Sequence, residues 1–256
     1  MTIDLTEFFG IWQAQMLAYG SVFLRMGAMM ALLPAFGERS VPVRIRLVLT
    51  LVFTTLVAPA VAPTFPAISQ PDGLIRIGFV EVTAGLALGI LFRLTVIALQ
   101  VAGTIAANVT SLAQIFGGSS VDPQPAIAHV LLVAGLALLA MTGLHVKIVT
   151  ALISSYTLFP FGTTIDHALL ADWGVRQISL AFSLAFSLSA PFVVISVVYN
   201  LALGAINRAM PQLMVAFVGA PAITAAGLML MLVSAPFLLV LWLGAFDRAI
   251  ANLGFV

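Results

Sequence analysis

The chain has 256 residues, 62% of them hydrophobic and 7% charged, with ten Lys and Arg against nine Asp and Glu. A soluble domain carries roughly 25% charged residues, so this chain is immersed in lipid, in protein or in both. The near balance of charge gives no nucleic-acid or acidic-substrate signal, and the absence of cysteine removes disulfides, thiol catalysis and cysteine metal sites.

The N-terminus, Met1-Thr2-Ile3-Asp4-Leu5-Thr6-Glu7, is acidic where a cleavable signal peptide is basic, so the first apolar segment is expected to be retained. That segment runs from about Phe8 to Leu33 and contains Arg25. The linker from Pro34 to Arg46 is the most basic stretch, and Arg39, Arg44 and Arg46 place it on the cytoplasmic side by the positive-inside rule, with the N-terminus outside. A second segment, about Leu47 to Val61, ends in a loop rich in proline (Pro59, Pro63, Pro66, Pro71). The third starts near Asp72 and keeps helical character to Ile115. At 1.5 Å per residue it reaches roughly 60 Å, about twice a bilayer's hydrocarbon core. Either it breaks, with Gly103 the candidate, or much of it lies outside lipid.

After the loop Gly117–Pro125 a fourth segment covers about Ala126 to Leu144, followed by a more amphipathic piece, His145 to Leu158, and by Pro160-Phe161-Gly162. A fifth begins after Asp172 and continues to Asn207. Pro191 in its interior removes a backbone hydrogen bond and predicts a bend or a hairpin tip. Arg208 is the only charged side chain between Gln177 and Phe246, and it sits in a polar knot, Asn207-Arg208-Ala209-Met210-Pro211-Gln212. A cation there lies at a membrane boundary or is held by protein partners. The last region, from Pro211 onward, is punctuated by Pro221 and Pro236. The expected fold is all-α, a single membrane domain over 1–256 with no soluble domain appended at either end.

Polar and small residues recur at helical spacing. Glu81, Gly85, Gly89 and Arg93 form one stripe, in which Gly85-x-x-x-Gly89 admits a close helix, either within this chain or from another subunit. Glu81 and Arg93 are too far apart to pair, so each faces a partner elsewhere. The stripe continues through Gln100, Thr104, Asn108 and Ser111, a line that should meet protein or water, as lining of an aqueous passage or as glue between helices. Ser179, Ser183 and Ser187 form a weaker stripe of a kind that often bonds to its own backbone. Asn200, Gly204, Asn207 and Pro211 form another, whose two asparagines argue for buried contact with a helix. Met210 and Met214, beside the knot, are soft side chains suited to packing or to sealing a passage.

Catalytic chemistry is not expected. There is no His-Glu-x-x-His helix, no phosphate-binding glycine loop and no base to activate Gly117-Gly118-Ser119-Ser120. His145 near Lys147 reads as an interfacial pair. No cofactor or metal is implied.

The stretch Asn200-Leu201-Ala202-Leu203-Gly204-Ala205-Ile206-Asn207-Arg208-Ala209-Met210-Pro211-Gln212-Leu213 resembles the signature of the FliR family of flagellar biosynthetic proteins. Phe217-Val218-Gly219-Ala220-Pro221 fits as well. So do Arg25 followed by Pro34, Val41-Pro42 and the Arg44/Arg46 pair, along with Asp122-Pro123 and the Gly143–Tyr156 region. The resemblance spans essentially the whole chain. It implies a core subunit of the flagellar type III export gate at the basal body in the bacterial inner membrane. Such a subunit packs long, broken helices as hairpins against FliP-like and FliQ-like subunits and works with FlhB-like and FlhA-like components. It passes unfolded flagellar proteins through a conduit energised by other components, without nucleic acid.

The resemblance also places a plug loop in the pore, whose counterpart here is about 111–121. Leu112, Ile115 and Phe116 would supply apolar bulk, Gly117 and Gly118 mobility, and Gln114 departs from the family pattern. Glu81, Arg93, Gln100, Asn108, Asn200, Asn207, Arg208, Pro211 and Gln212 are the candidate assembly or lumen residues. The competing readings are the virulence-secretion counterpart (the SctT class), a stand-alone secondary transporter with its site at broken helices, and an intramembrane enzyme.

Overall fold

The computed structural model describes residues 5–37, 41–62, 73–110, 126–210 and 215–254. Among these the chain is all helical: α1 Leu5–Leu32, α2 Val43–Val61, α3 Gly73–Thr110, α4 Ala126–Met141, α5 Leu144–Leu158, α6 His167–Ala209 and α7 Val215–Ala251, which ends in a 3-10 turn, Asn252–Gly254. Four helices (α2, α3, α6 and α7) are long and apolar enough to cross a membrane, or five spans if α4 and α5 count as one broken span. Apolar composition throughout, with each helix satisfying its own backbone hydrogen bonds, is what lipid demands of a spanning segment. This is an integral membrane helical protein.

The helix boundaries follow local chemistry, and they correct several expectations. α3 runs unbroken through Gly103, about 57 Å at 1.5 Å per residue. Gly103 serves close approach instead: a Cβ there would lie 2.5 Å from the Cα of Ala128. α6 is likewise continuous through Pro191, so no hairpin tip forms there. It starts at His167 rather than after Asp172, because the Asp166 carboxylate accepts the Ala168 N–H at 2.8 Å and caps the helix. α7 continues through Pro221 and Pro236. α4 and α5 are separated at Thr142–Gly143, where Gly143 adopts a left-handed φ of 81°, a conformation that costs glycine little.

The described residues cluster into two compact units. The first comprises 1–94, 142–177 and 247–256, the second 95–141 and 178–246. In the first, α1 packs against α2 and the start of α3, with Val22, Met26, Met29, Met30, Val57, Ala84, Leu88, Ile148 and Leu152 forming the core. Thr50 and Thr54 are buried without cost, since each hydroxyl donates to the carbonyl four residues earlier (2.8 and 2.7 Å). The α1–α2 turn is held by Arg46, whose Nε donates to the Phe36 carbonyl at 3.0 Å.

In the second unit, Gly103 and Gly135 mark the tightest approaches. A Cβ at Gly135 would lie 2.5 Å from Leu99 and 3.2 Å from the Trp242 ring. Trp242, fully buried, donates its indole N–H to the Thr95 carbonyl at 2.8 Å. A buried indole needs such a partner, and this one fixes α7 against α3.

Candidate functional site

Arg25 lies two turns before the end of α1 and is fully buried, as is Glu81 on α3. A lone charge at such a place is expensive, and the geometry shows how it is met. Nε of Arg25 donates to Glu81 Oε2 at 2.7 Å and Nη2 to Oε1 at 3.1 Å, the two-pronged arrangement that suits a guanidinium and a carboxylate. Nη2 also donates to the Phe159 carbonyl at 2.9 Å, and Nη1 donates to Ser155 Oγ at 3.0 Å. Four guanidinium hydrogen bonds thus tie α1 to α3, to α5 and to the turn after α5.

The rest of the cluster completes the pairing. The Ser155 hydroxyl in turn donates to the Leu152 carbonyl at 2.6 Å. Tyr156 lays its ring against the guanidinium, 3.6 Å from Arg25 Cζ, and donates its hydroxyl to Glu81 Oε2 at 3.2 Å. The charges cancel, and the cation rests on an aromatic face. Sequence reasoning found both charges and predicted that Glu81 needs a partner, but did not join them. The legible signal was that Arg25 is the one cation of α1 and Glu81 the one acid of α3.

The glycine seam next to the pair is made within the chain. A Cβ on Gly85 would overlap the Arg25 carbonyl oxygen and lie 2.9 Å from Ala28 Cβ. One on Gly89 would lie 2.8 Å from Leu32 Cβ and 2.9 Å from the Met29 carbonyl. Backbone-to-backbone approach of α3 on α1 therefore requires both glycines.

The other predicted residues are not brought to this cluster. Arg93 and Asn108 are exposed and Gln100 is half-buried, and the Thr104 hydroxyl bonds back to the Gln100 carbonyl at 2.9 Å. Ser187 bonds back to the Ser183 carbonyl at 2.8 Å, as expected of serines in an apolar helix. Lys147 meets Asp247 at 2.5 Å rather than His145.

The last turns of α6 are of a different kind. Asn200 donates to the Ser196 carbonyl at 2.8 Å, yet it is exposed, as are Asn207, Arg208 and Met210. Gly204 has nothing within 4 Å of the Cβ position. Leu201 is 70% exposed. The described part of the polar knot, Asn207 to Met210, is thus bare in the single chain. Leu112, Gln114, Ile115, Phe116, Gly117 and Gly118, together with Ser111, Pro211, Gln212 and Met214, lie outside the described residues.

Chemically the Arg25 cluster is a closed, neutral bond network. No group of three or more His, Asp or Glu residues that could hold a metal occurs among the described residues.

Comparison with known proteins bears on both features. The sequence model of the family described as "Bacterial export proteins, family 1" matches residues 16–249. The chain is similar to the flagellar biosynthetic protein FliR of Caulobacter vibrioides, with 36% identity over 224 residues, 86% of this chain and 89% of that protein. FliR of Escherichia coli is 28% identical over 230 residues, covering 86% of this chain and 85% of that protein. FliR of Bacillus subtilis is 25% identical over 230 residues, covering 84% and 85%.

Proposed function

The chain belongs to the bacterial export proteins of family 1, and from that premise we propose that it is a core subunit of the flagellar protein export gate in the bacterial inner membrane. It acts there as a single membrane domain, packed with FliP-like and FliQ-like subunits into a conduit for unfolded flagellar proteins. FlhB-like and FlhA-like components work beside it, and the chain itself performs no catalytic step.

One observation carries the assembly part of this reading. Over 200–210 the chain places two asparagines, an arginine and an uncontacted glycine at the end of a 43-residue apolar helix, and it covers none of them with its own core. Polar side chains in apolar surroundings are satisfied by protein or by water, not by acyl chains. A neighbouring subunit or a wet lumen supplies both.

The test is co-purification with FliP-like and FliQ-like subunits. Arg208→Ala is expected to lower the yield of that complex or to impair motility several-fold while leaving the accumulation of the chain in the membrane unchanged. Normal complex yield together with normal motility would count against the reading, and a chain that is stable and moves a small solute alone in liposomes would favour a stand-alone transporter.

The segment 111–121 is proposed to close the resting conduit through the apolar bulk of Leu112, Ile115 and Phe116, with Gly117 and Gly118 allowing it to move. Deleting it is expected to raise small-ion leakage through the assembled complex. Unchanged leakage with assembly intact refutes the plug.

A further inference from the structure

Of the nine Lys and Arg among the described residues, six gather at one end of the first unit. Gly89 of α3 sits against Leu32, the last residue of α1. Arg93 therefore stands one turn past that end, level with the turn from which α2 starts with Arg44 and Arg46. α5 runs antiparallel to α3, since Tyr156 meets Glu81 while a Cβ at Gly162 would lie 3.9 Å from Ile77. Along these helices Lys147 is about 12 Å and Arg93 about 18 Å from the Arg25–Glu81 pair, on the same side of it. Asp247 joins that level through its bond to Lys147, and Arg248 follows it. Arg176 completes the set. α3 leaves this unit after Leu94, α6 leaves it after Gln177 and α7 enters it at Asp247, and each passage has an arginine beside it.

Against these six cations stand two acids, Asp172 and Asp247, and Asp247 is taken by Lys147. Arg46 is held by the Phe36 carbonyl. Arg44, Arg93, Arg176 and Arg248 are exposed and in no ion pair among the described residues. The second unit has among its described residues one Lys or Arg, Arg208, and no acid.

Arg93 and Arg176 lie inside long apolar helices, not in a loop. A guanidinium there needs an anion or water. Exposed apolar side chains adjoin the arginines, among them Ile45, Leu47, Ile90 and Val175. Apolar flanks edged by long cationic side chains are what a chain presents where acyl chains give way to headgroups. Four arginines on four helices suit a layer of anions, whereas a single neighbouring protein would cover one flank.

We propose that Arg44, Arg93, Arg176 and Arg248 form a belt that binds the headgroup phosphates of anionic phospholipids. Each guanidinium offers paired N–H donors to phosphate oxygens. The belt fixes the height at which the chain sits in the bilayer.

The test is native mass spectrometry of the full-length chain in a non-ionic detergent, titrated with phosphatidylglycerol or with phosphatidylcholine. The parent is expected to retain phosphatidylglycerol about fivefold more than phosphatidylcholine. R44Q/R93Q/R176Q/R248Q is expected to bring that ratio to about one, and Arg93→Gln alone to about half the parent value. Arg76→Gln removes one exposed cation elsewhere on the same unit and is expected to leave the ratio unchanged. Excess inorganic phosphate, compared with chloride at equal ionic strength, is expected not to displace the lipid.

A parent without preference overturns the proposal. So does a preference that survives in the quadruple variant or, should that variant not accumulate, in all four single variants. Displacement by inorganic phosphate makes the belt a site for free anions. A belt whose loss leaves the lipid ratio unchanged and lowers co-purification with FliP-like or FliQ-like subunits faces an acidic protein surface instead, and either result also refutes the lipid assignment.

Discussion

Arg25→Ala is expected to reduce the full-length chain in the membrane fraction by more than tenfold. The variant removes all four guanidinium hydrogen bonds and leaves the Glu81 carboxylate fully buried, with the Tyr156 hydroxyl its one remaining donor among the described residues. Breaking one side of a buried pair costs about 3–5 kcal/mol, mostly because the surviving charge is left uncompensated. That is a large share of the roughly 5–15 kcal/mol by which a domain is stable. Arg25→Lys is expected to fall between Ala and the parent. An ammonium can meet one carboxylate oxygen but cannot span Glu81, Ser155 and Phe159 in the plane a guanidinium provides. Immunoblotting of membranes after a protein-synthesis block measures the series, and equal persistence of Ala, Lys and parent would sink the account.

Gly85→Ala is expected to be nearly as damaging, although it adds a single methyl. Ordinary overpacking costs typically 1–3 kcal/mol because neighbouring side chains can shift. Here the obstacle is the carbonyl of Arg25 itself, so α3 must move away as a body, and the ion pair one turn earlier stretches with it. Gly204→Ala is the internal control, with nothing within 4 Å of the added carbon. The comparison is made on detergent-solubilised chain by thermal unfolding. A Gly85→Ala midpoint within 2 °C of the parent would show that the seam is looser than drawn.

Much of this was legible in the sequence. The scarcity of charge required membrane helices, and the polar knot at 207–212 marked the place where the last two long helices part. The Gly85/Gly89 spacing announced a close helix. The spacing could not say whose helix it was, since a small-residue stripe looks the same inside a chain and between chains. The contact with Ala28 and Leu32 decides it.

Other features were hidden for physical reasons. Pro191 predicts a bend or a hairpin tip, and Gly103 is the candidate break in one of the two readings of the third segment. A 43-residue helix keeps its course through the loss of one hydrogen bond, and a glycine at a crossing is there for space. Asp166 and Asp172 are both acceptable caps by residue type, and the bond from the Ala168 N–H to Asp166 decides between them. The partnership of Arg25 with Glu81, Ser155 and Phe159 needed the fold, because no local pattern joins residues 56, 130 and 134 positions apart.

Those separations have a consequence in time. Synthesis proceeds at roughly 5–20 residues per second, so Arg25 waits about 3–11 s for Glu81 to be made and more than twice as long for Phe159. During that interval the nascent chain exposes a lone cation to lipid or to the insertion machinery. A chain cut short before Glu81 keeps that cation unpaired by a carboxylate for good.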